Sequence, residues 1–223
     1  MTKKLFFQAM IKFICGVVLV GAFVFLPAGG FDYPGGWLLM GVLFLPIFLA
    51  GIVLMLKNPD LLRRRLAGKE KEKSQRWVVL GSGLMFVFGF IAAGLDFRFG
   101  WLVLPGWVSP AAAAVLLAAY GIFGEVMREN TYLSRTVEVQ AGQKLIDTGL
   151  YGVVRHPMYM ATVMLFLAIP LVLGSLISFA VFLVYPFLIA VRIRGEEEML
   201  ERELEGYAAY KKRVKYKVLP FIW

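Results

Sequence analysis

Two short stretches hold most of the side chains able to do chemistry. The first is GLYGVVRHPMY (149–159), which carries Gly149, Tyr151, Arg155, the single histidine His156, Pro157 and Tyr159. Pro157 suits the first turn of a helix, where its missing N–H costs nothing. The free N–H groups just after it, together with Arg155, make a place for a carboxylate or a phosphate. His156 adds a donor or acceptor, and Tyr159 an aromatic face with a hydroxyl. The second stretch is RIRGEEE (192–198), where Arg192 and Arg194 precede Glu196, Glu197 and Glu198. Glu197, Glu201 and Glu205 form a like-charge row at four-residue spacing, which a nearby cation would relieve. The pair of stretches offers a carboxylate to a cationic ligand and an arginine to an anionic one. A plainer reading stands beside this one. Arg155 is then a positive-inside anchor, His156 a solvated flank, and the glutamates a charged cap favoured by the helix dipole.

The elements that must position these residues read as membrane spans. Hydrophobic residues make up 60% of the 223-residue chain and charged ones only 17%, against about 45–50% and about 25% in soluble domains. The apolar residues come in blocks: roughly Ala9–Leu26, Trp37–Leu56, Trp77–Leu95, Ala111–Met127 and Met158–Val191. The last block is 34 residues long; as one helix it would reach about 51 Å at 1.5 Å per residue, against a hydrocarbon core of about 30 Å. LGSLIS (173–178) is the natural break, which makes the block a tight helical hairpin. The expected fold is all-α and polytopic, with about six spans. An amphipathic helix over Gly195–Tyr210 follows, on which Leu200, Leu204 and Tyr207 recur at helical spacing. Residues 1–127 read as N-terminal transmembrane helices and 128–223 as the functional region. The hairpin returns RIRGEEE to the membrane face on which Arg155 and His156 lie, so two weak signals become one constellation.

Charge fixes the side. The N-terminus, residues 57–76, residues 128–156 and the tail carry nearly all Lys and Arg, whereas the loops at 27–36, 96–110 and near 174 carry one, Arg98. The expectation is an integral membrane protein, as in a bacterial cytoplasmic membrane, with both termini and the site cytoplasmic. The net charge of +9 follows the same pattern and points away from nucleic acid. Cys15 is the only cysteine, which excludes an intramolecular disulfide, and one histidine cannot build a His-rich metal site; no metal is expected. The first block has no clear cleavage site and reads as a retained span. Neither GxGxxG after a strand nor GxxxxGK[ST] occurs, nor HExxH or GxSxG. Charged residues within the apolar cores are nearly absent, Glu125 being the main exception, which argues against an ion channel or a proton-coupled transporter.

DTGLYGVVRHPMYMATVMLFLAIPLVLGS (147–175) resembles the signature of the isoprenylcysteine carboxyl methyltransferase superfamily, which also takes in phospholipid methyltransferases. RIRGEEEMLERELEGYAAYKKRVKYKVLPFIW (192–223) is similar to that superfamily's C-terminal pattern of arginine, paired glutamates, leucine, glycine, tyrosines and a closing proline. RENTYLSRTVEVQAGQKLIDTG (128–149) resembles the lead-in of bacterial members. The resemblance implies an integral-membrane enzyme using S-adenosylmethionine. It implies cofactor binding by Gly149, Tyr151, Arg155, His156, Pro157, Tyr159 and Glu197. Arg192 or Arg194 would orient an acceptor carboxylate by a bidentate contact, and Glu196 or Glu197 would serve as base for an amine. Three consecutive glutamates leave the register of the pair open. The implied partners are membrane lipids and a lipidic or small-molecule methyl acceptor, such as a prenylcysteine-type carboxylate. A nicotinamide-dependent membrane reductase of similar architecture is the rival enzyme, and a non-catalytic membrane scaffold or lipid-binding protein the rival outside catalysis.

Overall fold

The computed structural model describes residues 3–66, 73–133, 139–140 and 142–223. The apolar blocks become helices: α1 (Lys3–Ala28), α2 (Pro34–Lys57), α4 (Lys73–Phe99), α5 (Val108–Glu129), α6 (Pro157–Val172), α7 (Leu176–Phe182) and α8 (Tyr185–Glu203). Between and after them lie α3 (Pro59–Leu66) and α9 (Tyr207–Arg213). Among the described residues five segments are long and apolar enough to cross a membrane, the last being α7 and α8 together, Leu176–Glu203. The protein is a polytopic, all-helical membrane protein. α6 is the exception to the expected six: its 16 residues reach about 24 Å, short of the roughly 30 Å hydrocarbon core.

Apolar side chains face outward along the spans, Ile11, Val18 and Leu19 on α1 and Leu45, Leu49 and Leu56 on α2 among them. Such a surface is stable only against lipid. The core runs between the helices through Val24, Leu39, Leu116, Ile169, Phe182 and Ile193. α5 packs along α6, α1 along α4, and α4 along α7 and α8. At the α1–α4 crossing a Cβ on Gly94 would stand 2.7 Å from the Val24 carbonyl oxygen. Only hydrogen fits there, the small-residue solution common where membrane helices meet.

The break in the last apolar block falls at Leu173–Ser175, inside the expected LGSLIS, with Gly174 at φ +74. Ser175 caps α7, its hydroxyl oxygen accepting from the Ser178 N–H at 3.1 Å. A second break at Leu183–Val184 separates α7 from α8. Pro186 stands in the first turn of α8, where it lacks the N–H that a continuous helix would use. The basic segment after α2 holds α3, which Asn58 caps, its side-chain oxygen accepting from the Leu61 N–H at 3.1 Å. A further expectation needs correction. The tail helix does not start at Gly195, because α8 continues through that glycine to Glu203 on a run of good helix formers. It stops before Gly206, at φ +83, and α9 begins anew. The stripe Leu200, Leu204, Tyr207 still packs together, joined by Tyr210 and Val214.

The connections gather at two ends. At one, Tyr33 donates to the Leu173 carbonyl at 2.6 Å and its ring stacks on Phe97 at 4.1 Å. There too the Ser175 hydroxyl donates to Asp96 Oδ2 at 2.6 Å, and the Leu102 N–H to Asp96 Oδ1 at 2.9 Å. Asp96 is buried and staples α4 to the hairpin turn. Asp96→Ala leaves two donors unpaired. It is expected to lower stability by about 1–3 kcal/mol, read as thermal unfolding in detergent; an unchanged transition would contradict the staple. The other end carries α3, the connection before α6, and the tail, where Lys12 donates to the Leu66 carbonyl at 2.5 Å and Arg64 to the Thr131 carbonyl at 2.7 Å.

Candidate functional site

At the basic end the start of α6, the end of α8 and the tail meet. His156 precedes Pro157, which opens α6. The backbone around it is pinned by the tail: the Arg155 N–H donates to the Tyr216 carbonyl at 2.9 Å and the His156 N–H to the Lys217 carbonyl at 2.8 Å. The Arg155 side chain repeats the tie, Nη1 donating to the carbonyls of Val214 (2.7 Å) and Lys215 (2.8 Å). Its Nε donates to Glu197 Oε1 at 2.7 Å, and His156 Nε2 lies 3.2 Å from the same oxygen. All three side chains are about 5% exposed. A buried carboxylate is tolerated only when paired and hydrogen-bonded, and Glu197 meets that condition. Its second oxygen lies 3.4 Å from Lys211 Nζ, which also reaches Glu201 Oε1 at 2.8 Å. Lys211 and Arg155 are therefore the cations that the like-charge glutamate row called for. The hydrogen bond to Glu201, ahead of the pull of Glu197, pushes the Lys211 ammonium pKa up.

One residue earlier on α8 the surroundings change. The Tyr159 hydroxyl donates to Glu196 Oε2 and accepts from Arg192 Nε at 3.0 Å. Arg192 and Glu196 are one helical turn apart, so a single tyrosine fixes both. Across from them stand three more tyrosines. Tyr151 accepts from Asn130 Nδ2 at 2.9 Å, and Tyr210 donates to the Tyr151 carbonyl at 2.7 Å. Tyr207 Oη is buried with no hydrogen-bond partner among the described residues. Burial is the chief reason that the pKa values of Tyr151, Tyr207 and Tyr210 are raised, so all three keep their protons at neutral pH.

These groups line a cavity of about 110 Å³. Of the residues singled out in the sequence, Tyr151, Arg155, His156, Tyr159, Arg192 and Glu196 are in its wall. Glu197 stands behind the wall, holding Arg155 and His156. Pro157 shapes the start of α6 without lining the cavity. Gly149 lies outside, at φ +51, where a Cβ would come within 2.2 Å of Glu129 Oε1. Arg194 is exposed and not part of the wall, and Glu198 is exposed as well. The two glutamates that turn inward are thus Glu196 and Glu197. Asn130, Tyr207, Tyr210 and Lys211 belong to the site and were not assigned to it from sequence. In the sequence Tyr207 belongs to the apolar stripe and to the tyrosines of the tail pattern; the signal for Tyr210 and Lys211 is the tyrosine pair and basic run of YAAYKK (207–212), and no such signal marks Asn130.

The wall suits a ligand that carries both charges and a polar, flat body. Glu196 can accept from a cation, Arg192 and Arg155 can hold an anion, and the tyrosines supply aromatic faces. The Tyr207 hydroxyl, buried and without a hydrogen-bond partner among the described residues, adds one more polar group to the wall.

Residues 109–205 match the family profile described as Phospholipid methyltransferase. The match starts inside α5, earlier than the lead-in at 128. It takes in RHPMY and the three glutamates, and it stops before Tyr207. Over 91 residues the chain is also 30% identical to Delta(14)-sterol reductase of Mus musculus, covering 40% of this chain. The matched stretch spans 22% of that relative's length.

Proposed function

From the phospholipid methyltransferase domain carried by residues 109–205, we propose that this membrane protein transfers a methyl group from S-adenosylmethionine to a lipidic or small acceptor, such as a prenylcysteine-type carboxylate. The observation that carries the reading is the cavity in which Glu196, Arg192 and Arg155 converge with five tyrosines, Tyr132, Tyr151, Tyr159, Tyr207 and Tyr210. When bound, the cofactor supplies a methyl group activated on a sulfonium. The protein's part is to bind, orient and exclude water. Glu196 meets the cofactor's ammonium or its ribose hydroxyls. Arg155, whose Nε and Nη1 are committed to Glu197 and the tail, presents Nη2 to the cofactor's carboxylate. Glu197, with Lys211, neutralises and aims Arg155. An acceptor carboxylate needs no base, being ionised already, and Arg192 orients it; Arg194, outside the wall, is left without that role. For an amine acceptor Glu196 takes the proton.

A lipidic acceptor is supported by a second feature. An apolar cleft of about 720 Å³ lies between α1, α2 and α5, with Lys12 and Arg65 its charged lining residues. Arg65 Nη1 lies 3.7 Å from Met158 Sδ, and Met158 lines the cavity. A hydrocarbon chain in the cleft would set its head group beside the cavity. The site belongs on the cytoplasmic side, because Arg63 to Arg65, Arg155 and the Lys211–Arg213 run cluster at that end. Reporters at residue 66 and at the C-terminus are expected to be cytoplasmic and one at residue 31 external; the reverse pattern would overturn that orientation.

The similarity to a sterol reductase favours a second reading, a membrane reductase taking a nicotinamide dinucleotide in the same cavity. A radiolabelled methyl-transfer screen separates the two. Purified protein in nanodiscs is expected to label one of three acceptor classes: thiols, amino lipids or prenylcysteine analogues. No labelling of any class, with cofactor binding also absent, would remove the methyltransferase reading.

A further inference from the structure

We propose that Tyr207 is a ligand contact that seats the nucleoside end of the cofactor, an inference that rests on the cofactor reading above. Tyr207 is 3% exposed, it lines the cavity, and its hydroxyl has no partner among the described residues. The other tyrosines of the wall differ: the hydroxyls of Tyr132, Tyr151, Tyr159 and Tyr210 are each engaged by a neighbour. An unpaired buried hydroxyl lowers stability, so a folded protein retains one where something else completes it.

The backbone leaves this hydroxyl little freedom to find another partner. Gly206, at φ +83, turns the chain so that α9 begins at Tyr207 itself. Three residues on, Tyr210 is tied to the Tyr151 carbonyl at 2.7 Å. The rings of Tyr207 and Tyr210 stand 5.7 Å apart, and Leu200 and Leu204 flank them in the same cavity wall.

The local field selects the ligand group. After burial itself, the carboxylates of Glu197 and Glu196 are what push the Tyr207 pKa up. The hydroxyl therefore stays protonated, and the same negative field disfavours an anionic ligand group beside it. A carboxylate is better placed toward Arg155 and Arg192. What suits Tyr207 is a neutral polar edge, such as a purine ring nitrogen or a ribose hydroxyl. The neighbouring tyrosine rings and leucines suit the flat body to which that edge belongs.

The test is calorimetric titration of wild type and Tyr207→Phe in nanodiscs with two probes. S-adenosylhomocysteine carries both the nucleoside and the amino-acid end, whereas 5′-methylthioadenosine keeps only the nucleoside. Tyr207→Phe is expected to weaken both by a similar factor, about 3- to 10-fold, as for one neutral hydrogen bond. Its unfolding temperature without ligand is expected to equal or exceed that of wild type, because an unpaired polar group has been removed. Wild-type affinity for both probes overturns the proposal. Weakening confined to S-adenosylhomocysteine also overturns it, since the contact would then lie at the amino-acid end. A lowered unfolding temperature overturns it too, by showing that the hydroxyl is paired within the protein. The cofactor reading itself is judged on wild type: failure to bind either probe removes that reading, and this inference with it.

Discussion

Glu197→Ala is expected to destabilise the protein by about 3–5 kcal/mol, the usual result of removing one partner of a buried ion pair. The arithmetic is set by what stays behind. Arg155 would keep its charge in a site where its side chain is 5% exposed, with only the carbonyls of Val214 and Lys215 to hold it. His156 would lose the carboxylate it faces, and Lys211 the longer, 3.4 Å end of its bridge between Glu197 and Glu201. Because Arg155 ties α6 to α8 and to the tail, the tail after Arg213 is expected to become protease-sensitive at the same time. Unfolding in denaturant, followed by tryptophan fluorescence, gives the stability, and limited proteolysis the tail. Replacing both partners, Arg155→Met with Glu197→Met, is expected to lose less than the sum of the single changes, because no uncompensated charge remains. A loss below about 1 kcal/mol for Glu197→Ala would show that the pair is not buried as described.

The second large effect separates two arginines of one helix. Arg192→Ala is expected to lower kcat/KM for methyl transfer about 10- to 100-fold, the worth of a hydrogen bond to a charged group. Arg194→Ala is expected to change it less than about twofold, as usual for an exposed residue outside the site. The contrast follows from α8: Arg192 lines the cavity and donates to Tyr159, whereas Arg194 is exposed. Arg192→Lys is not expected to rescue, because an ammonium lacks the planar fork that grips a carboxylate. Equal losses for Arg192→Ala and Arg194→Ala would mean that orientation of the acceptor has been assigned to the wrong residue.

How much of this was legible in the sequence depends on where each residue's partners lie. Spans show themselves through runs of apolar residues, and the hairpin turn through Gly174 and Ser175, because those signals are local. The inward register of the glutamates was also readable in principle. Tyr185, Ile189, Ile193 and Glu197 follow one another at four-residue spacing, and all four are buried, so Glu197 lies on the core stripe of α8. The consecutive run Glu196 to Glu198 hid it, since three like residues in a row look like a solvated cap. Asp96 was hidden for another reason. Next to Arg98 at the end of a span it looks like an interfacial flank, and only Ser175, 79 positions away, makes it a buried staple. The return of the tail was least legible, because Val214, Lys215, Tyr216 and Lys217 act through backbone carbonyls, which no residue type announces.

On the function proposed above, the cavity between α6, α8 and α9 takes S-adenosylmethionine. The most direct measurement is a calorimetric titration of the purified protein in nanodiscs, with S-adenosylhomocysteine in one experiment and a reduced nicotinamide dinucleotide in another. Saturable one-to-one binding of S-adenosylhomocysteine, with no heat from the dinucleotide, is the expected result. Binding of the dinucleotide without S-adenosylhomocysteine would contradict the claim and place the protein with the reductases.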